Sequence, residues 1–288
     1  YAPRNGGAGA HVYVVDTGVN LNHTEFAGRV GNGYDFVDDD NDPYDGCNGH
    51  GTHCAGTALG ATFGVAPQAT LHAMRVLDCD DSGTWADVIA ALDWISANAL
   101  RPAIVSMSLG GFGYAPVDDA VRALHEAGIT VVTAAGNAAG NACYYSPARS
   151  PYAVTVGSTD RFDAASVFSN YGTCVDVLAP GSEIVSAWFT GDDATMTLSG
   201  TSMACPHVTG VLAQLTEVWG DQPPDTLREL LMQMVVHDAI TSYPSGPNRM
   251  LQALGTNPFP PPPLPSPPPS PPPPPSPPSP PSLPPLPP

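Results

Sequence analysis

Lysine is absent from this chain. Every basic side chain is an arginine, nine in all against 27 Asp and Glu, and the 288 residues carry a formal charge of −18 at pH 7. That balance argues against nucleic acid or an anionic membrane as a partner, and for solubility or cation binding. Long apolar runs are missing too, since none reaches the roughly 18 residues that a membrane span needs. The chain opens on Tyr1, without Met or an apolar leader, which predicts a processed or trimmed start. Cysteine is sparse, with six residues, too few for a small disulfide scaffold at this length; two bridges and two free thiols are expected, with the pairing open. One glycosylation sequon, Asn22-His23-Thr24, agrees with a secretory route.

Proline is concentrated at one end. From Asn257 the sequence becomes runs of Pro and Ser up to Pro288. Proline lacks the backbone donor, so these residues can form neither a ladder nor a helix interior. They predict a disordered polyproline II rod, on the order of 90–100 Å if extended. The chain therefore divides into one large domain, residues 1–255, and a Pro/Ser-rich tail or linker, residues 256–288.

Within the first part, His11-Val12-Tyr13-Val14-Val15 is a β-branched apolar run ending at Asp16. Similar runs lie at Leu71–Leu77, Ile104–Leu109, Val131–Ala135, Ala153–Val156 and Val175–Leu178. Amphipathic stretches at Trp85–Ala99 and Val117–Ala127 separate several of them. The alternation predicts an α/β fold, three layers with a mostly parallel central sheet flanked by helices. Ligands of such folds bind beyond the carboxyl ends of the strands, where Asp16 and Asn137 fall.

A third feature is Gly200-Thr201-Ser202-Met203-Ala204-Cys205-Pro206, followed by Val208, Val211, Leu212, Leu215, Val218 and Trp219 at helical spacing. Proline is tolerated in a first turn, which would put Pro206 there and Ser202 at the helix mouth. A lone serine before a helix is ordinarily an N-cap. At a helix mouth it is also placed where free amides favour developing negative charge. Asn48-Gly49-His50-Gly51-Thr52-His53 adds an imidazole between glycines, the group that a general base near neutral pH requires. Asp16 is a candidate to fix its tautomer, and Asn137 a candidate to donate an amide N–H to an oxyanion. His50-x-x-His53 also invites a zinc reading, but no Glu lies between the two and no third ligand follows at metal spacing. His53 and His207 read as structural.

Asp-Thr-Gly, His-Gly-Thr-His and Gly-Thr-Ser-Met-Ala, in that order, resemble the subtilisin family of serine peptidases, nearest its proteinase K and aqualysin branch. The resemblance runs from about His11 to Leu254. The order Asp, His, Ser and the side-chain oxyanion donor are those known for subtilisin itself. It implies a secreted serine endopeptidase with catalytic Asp16, His50 and Ser202, and an oxyanion hole from the Asn137 side chain and the Ser202 backbone N–H. It implies that Asp81, Ser82 and Gly83, with Ser108, Leu109 and Gly110, pair with an extended peptide substrate. Ser108–Gly110 and Ala134, Ala135 and Gly136 would wall the first pocket, which without charge favours apolar or aromatic side chains. Trp85 is either an aromatic wall of a more distant subsite or helix-face packing. Asp80 and Asp81 either favour basic substrates or are solvated loop charges.

The same resemblance implies disulfides Cys47–Cys79 and Cys143–Cys174, leaving Cys54 and Cys205 free. Their thiols read as buried filler, though the resemblance implies that thiol-binding heavy metals inactivate through Cys54. Calcium is the implied cofactor, with no organic one. Asp38, Asp40 and Asp45 are candidate ligands in the acidic loop Asp38–Asp45, which otherwise reads as an exposed acidic turn. A second set would be Asp176 with the carbonyls of Pro151 and Ala153. Relatives carry some twenty more residues before the Asp16 strand, and about two fewer in the segment Ala187–Leu198.

The Ser-Pro-Pro-Pro runs resemble hydroxyproline-rich wall proteins of plants and green algae, which implies association with an extracellular matrix or cell wall. Alternatives are a stiff spacer and a ligand for SH3- or WW-like grooves. The expected partner is a protein or peptide substrate, with no nucleic acid or membrane, and the expected state is a monomer. A catalytically silent matrix or binding protein on the same fold is the rival reading. An α/β-hydrolase esterase fits less well, because its nucleophile motif Gly-x-Ser-x-Gly goes with a histidine last in the chain, whereas here Ala204 follows the Ser202-Met203 pair and His50 comes first.

Overall fold

Strands that read as unbroken apolar runs are buried on both faces, as a parallel sheet covered by helices requires. The computed structural model describes residues 5–253; the tail at 256–288, its boundary and Tyr1 lie outside the described residues. In chain order the elements are β1 (His11–Asp16), β2 (Tyr34–Asp35), α1 (His50–Leu59), β3 (Thr70–Arg75), α2 (Trp85–Asn98), β4 (Ala103–Met107), β5 (Gly111–Phe112), α3 (Ala115–Glu126), β6 (Thr130–Ala134), β7 (Tyr145–Ser146), β8 (Ala153–Thr159) and β9 (Val177–Pro180). There follow β10 (Ile184–Ala187), β11 (Thr195–Leu198), α4 (Thr201–Trp219), α5 (Pro224–Met232), β12 (Val236–His237) and β13 (Arg249–Met250).

Nine strands form one sheet in the order β12-β13-β9-β8-β6-β4-β1-β3-β2. Every pairing in it is parallel except β12 with β13. Val14 lies opposite Ala73 on one side and Ser106 on the other, so β1 is central and its carboxyl end opens between two neighbours. Side chains alternate across the strands. Val12, Val14, Ile104 and Val132 face one core with Leu59 of α1, Leu212 of α4 and Leu231 of α5. Tyr13, Val15, Val105 and Val131 face a second core with Leu92 of α2 and Leu124 of α3. The predicted three layers are present, and among the described residues no helix is long and apolar enough to cross a membrane.

α4 is the axis of the first core: Val208, Val211, Leu212 and Leu215 are all buried. Its start differs from expectation. Gly200 occupies the cap position, Ser202 is the second helical residue, and Pro206 lies in the second turn rather than the first. Two short antiparallel pairs, β5 with β7 and β10 with β11, form outside this sheet, β7 beside α3 and β10 beside α1. Near the start of the described chain, the Gly7 amide donates to Glu217 Oε2 at 2.7 Å and Gly6 O accepts from the Gln68 amide, which ties this stretch to the end of α4 and to the loop before β3.

Both disulfides are formed, Cys47–Cys79 and Cys143–Cys174, while Cys54 and Cys205 are free and buried. The second bridge closes a separation of 31 residues. In the chain-entropy account such a loop restricts the unfolded chain by about 3–4 kcal/mol. Replacing Cys143 and Cys174 together by Ser should therefore lower the unfolding free energy by about that amount, read from denaturant midpoints at unchanged slope. An unmoved midpoint would rule the estimate out.

Candidate active site

Asp16 ends β1 with its carboxylate fully buried. Its Oδ1 accepts the Thr17 amide at 2.8 Å and lies 2.7 Å from His50 Nδ1; its Oδ2 has no protein partner among the described residues. His50 is the first residue of α1, and Gly51 is what allows it there. A Cβ at Gly51 would meet Gly18 O at 2.1 Å and Asp16 Cβ at 3.0 Å, so any larger residue would push the helix off the strand end. A second buried carboxylate, Asp45, holds the same corner. Its Oδ1 accepts the amides of Asn48 and Gly49, and its Oδ2 accepts the hydroxyls of Thr17 and Thr52.

Burial by itself lowers the pKa of His50. The charge of Asp16, assisted by Cys54 and the hydrogen bonds of both, outweighs it, and His50 stands well above the ordinary imidazole value of 6.5. His53, one turn along, behaves oppositely: burial pushes it down to about 4. Its Nε2 lies 3.0 Å from Ile184 O and 3.2 Å from Met196 O, so a neutral ring ties α1 to the β10–β11 pair. His207 is likewise structural, its Nδ1 bonded to Met203 O at 2.8 Å.

Ser202 lies on the first turn of α4, where amides lack intrahelical partners. Pro206 cannot donate to the carbonyl four residues back, and that carbonyl belongs to Ser202. The freed oxygen accepts instead from Ser108 Oγ at 2.8 Å and from Cys54 Sγ at 3.3 Å. The Ser202 hydroxyl donates to Ser108 O at 3.1 Å. Asn137 Oδ1 accepts from Thr201 N at 2.8 Å and Thr201 Oγ1 at 2.9 Å, which commits the oxygen of the amide and leaves its Nδ2 donor for another acceptor. Asn170 holds the loop from below: its Nδ2 donates to Ala135 O, and its Oδ1 accepts the amides of Ala138 and Gly140. Gly136 has φ +98°, and a Cβ there would strike Asn170. Thr201 sits inside the motif that pointed to Ser202 and was legible from it; Asn170 belongs to no local motif.

A cavity of about 250 Å³ is lined by residues 108–110 and 134–137, with Thr201 and Ser202 at one end and no charged side chain. A second, of about 370 Å³, is lined by residues 81–85 and shares residues 108–110 with the first. Trp85 lines this second cavity and also packs on the second core, stacked on Tyr114 at 6.0 Å.

The candidate metal residues fare differently. Asp38 and Asp40 line one open acidic cavity with Asp35 and Asp42. Arg75 bonds Asp35 at 2.6 Å and Asp38 at 2.5 Å, while Asp40 Oδ1 accepts the Asp42 amide. Several carboxylate oxygens of Asp38, Asp40 and Asp42 make no protein hydrogen bond among the described residues, a donor set that suits a hard cation. Asp45 does not belong to it, because both of its oxygens are committed to the start of α1. The second set does not suit an ion: Arg228 already bonds both Pro151 O and the Asp176 carboxylate. Among the described residues the one group of three ligating side chains gathered within 4.8 Å is Asp16, His50 and Cys54. There the carboxylate and imidazole bind each other, and the thiol, its pKa raised by burial, bonds Ser202 O.

A buried carboxylate holding an imidazole, a serine at a helix mouth and a side-chain amide beside it, all at the carboxyl edge of a parallel sheet, have the make-up of a serine-nucleophile hydrolase site. The chain belongs to the subtilase family, whose profile matches residues 7–255. It is 52% identical over 226 residues to an extracellular serine proteinase of Thermus sp. strain Rt41A, covering 78% of this chain and 55% of that protein. It is 47% identical over 254 residues to alkaline serine exoprotease A of Vibrio alginolyticus, covering 88% and 47%. The chain thus spans about half the length of these curated relatives. The crystal structure of a cold-adapted subtilisin-like serine proteinase superposes with a TM-score of 0.86 at 46% identity, covering 88% of this chain and 92% of that one.

The electrostatics of the corner can be read directly from imidazole titrations by NMR. His50 should be more than half protonated at pH 6.5, because its pKa is raised. Asp16→Asn removes the largest of the influences that raise the imidazole while burial stays, so the His50 midpoint should fall. His53 should stay neutral until about pH 4 in both proteins. An unshifted His50 midpoint in Asp16→Asn would contradict the account.

Proposed function

We propose that this chain is the catalytic domain of a secreted serine endopeptidase that cleaves peptide bonds through an acyl-enzyme. One observation carries the reading: Asp16 Oδ1 holds His50 Nδ1 at 2.7 Å at the strand edge onto which α4 opens with Ser202. In the first step Ser202 Oγ bonds to the substrate carbonyl carbon while its proton passes to His50 Nε2. In this structure that hydroxyl bonds Ser108 O, and for the transfer it must turn about its Cα–Cβ bond, away from that oxygen and toward the imidazole. Asp16 stabilises the imidazolium, and Asn137 Nδ2 and the Ser202 N–H donate hydrogen bonds to the developing oxyanion. Collapse breaks the C–N bond, with the amine leaving on the proton held by His50. Water then attacks the acyl carbon and gives its proton to His50; the C–Oγ bond breaks, Ser202 Oγ takes the proton back from His50, and the acid leaves.

An extended peptide fits as an added strand between residues 108–110 and 81–83. The uncharged cavity of about 250 Å³ favours an apolar or aromatic side chain before the scissile bond. Export is supported by the similarity to the extracellular serine proteinase of Thermus sp. and by two disulfides, which persist outside the cytosol. The chain acts as a monomer on protein or peptide substrates, and residues 256–288 are assigned to attachment at an extracellular matrix or cell wall. Calcium belongs in the acidic loop, where Asp38 and Asp40 would hold it and it would stabilise the folded state by mass action.

A fluorophosphonate probe should label Ser202, and Ser202→Ala should abolish labelling and peptide cleavage while the melting temperature is kept. Absence of adduct in the folded protein would favour a silent binding protein instead. Asn137→Leu should lower turnover by about 10²–10³, the loss known for the corresponding donor of subtilisin, with little change in KM. Because the neutral imidazole is the base and its pKa is raised, the rising limb of activity with pH should lie above 6.5.

Chelator should lower the melting temperature, and Asp40→Asn should remove most of that response. An equal response in Asp40→Asn would exclude this loop as the site.

A further inference from the structure

The oxygens that the family resemblance assigns to a calcium ion are held by an arginine. Arg228, on α5, donates from Nη1 to Pro151 O at 2.7 Å and from Nη2 to Asp176 Oδ1. The other carboxylate oxygen, Asp176 Oδ2, accepts the Thr155 amide at 2.9 Å. A second guanidinium approaches the same residue, with Arg249 Nη1 at 3.5 Å from Asp176 O. The carbonyl of Pro151 and the carboxylate of Asp176 are thus bridged by one planar fork, the geometry at which arginine excels over a point charge.

We propose that the Arg228 guanidinium is the resident cation of this site, and that it excludes a divalent ion while doing the ion's structural work. Three features support it. A divalent ion between Pro151 O and Asp176 would lie within a few ångströms of one positive guanidinium and close to another, a repulsion that partial burial strengthens. The position of Arg228 is set by α5, whose Leu227, Leu230 and Leu231 are buried in the first core, and its guanidinium is held there by two acceptors at once. The pair is also sheltered, with side-chain exposures of 29% for Arg228 and 14% for Asp176. The bridge joins α5 to the turn before β8 and to the residue just before β9. Three segments that an ion would gather are gathered by a side chain.

Melting temperatures in saturating Ca²⁺ and in excess chelator, measured on the full chain, test this. The calcium increment is the difference between the two. In Arg228→Ala the increment should exceed that of the wild type by on the order of 5–10 °C, at calcium about a hundred times the dissociation constant of the variant. Adding Asp176→Asn to Arg228→Ala should erase the excess, whereas Asp176→Asn alone should leave the wild-type increment unchanged. Arg228→Lys keeps the charge and should stay without excess; Arg228→Gln keeps the size, loses the charge and should gain it, should the alanine variant fail to fold. Terbium luminescence sensitised by Tyr152 gives binding directly, with new emission in Arg228→Gln over the acidic-loop background of the wild type. Equal increments in the wild type and both neutral variants would overturn the proposal, as would a wild-type increment that falls on Asp176→Asn.

Discussion

A carboxylate buried at the end of the central strand governs the arrangement around it. Asp16 has no exposure and no arginine to neutralise it; it holds one amide and one imidazole. An ionised carboxylate so placed would be expensive unless its partners were fixed. Much of the surrounding structure is the means of fixing them. Asp45, equally buried, gathers the amides and hydroxyls that start α1. Burial pushes the Asp45 carboxyl up, against the hydrogen bonds from Gly49, Thr52 and Asn48 that favour its charged form. Its position at the beginning of α1 places negative charge at the positive end of the helix. One carboxylate thus positions the helix that presents the imidazole to the other.

The fold was largely legible because its strands are buried on both faces. The runs at Val12–Val15, Ile104–Met107 and Val131–Ala134 needed no partner information to be recognised as strands. The two-residue strands β2, β12 and β13 carry no such signal, and only their neighbours make them strands. Of the site, Asp16, His50, Ser202 and Asn137 could be named because each sits in a short local motif. Asn170, Asp45 in its real role and Arg228 could not, because what they do depends on partners 35, 7 and 52 residues distant. Asp45 illustrates the ambiguity. In sequence it is one more acid in an acidic loop, and only the turn of the chain between Asp42 and Gly49 separates a buried helix anchor from a cation ligand.

The absence of lysine acquires a structural meaning in this setting. Arg75 bridges Asp35 and Asp38, Arg101 makes two bonds to Asp221, Arg149 holds Asp118, and Arg228 joins a carbonyl to a carboxylate. Arg101 and Arg228 use two nitrogens of the planar fork at once, whereas Arg75 reaches both carboxylates from Nη1 and Arg149 bonds through Nε alone. Most of these pairs are partly exposed, so their individual worth is small. Their common feature is reach: each ties together segments far apart in an acidic chain with few other cations.

Pro206 connects this framework to the nucleophile. A proline in the second turn of α4 would ordinarily weaken a helix by removing a bond and crowding the turn. Here the bond removed is the one that would have occupied the Ser202 carbonyl, and two side chains take its place. Ser108 comes from the end of β4 and Cys54 from α1, so the freed oxygen becomes the point where a cavity wall, the histidine helix and the serine helix meet. An uninterrupted helix would have satisfied that carbonyl within α4, and Ser202 would then have been positioned by its own helix alone. With the proline present, the serine is held from three elements, two of which also carry the imidazole and one wall of the uncharged cavity.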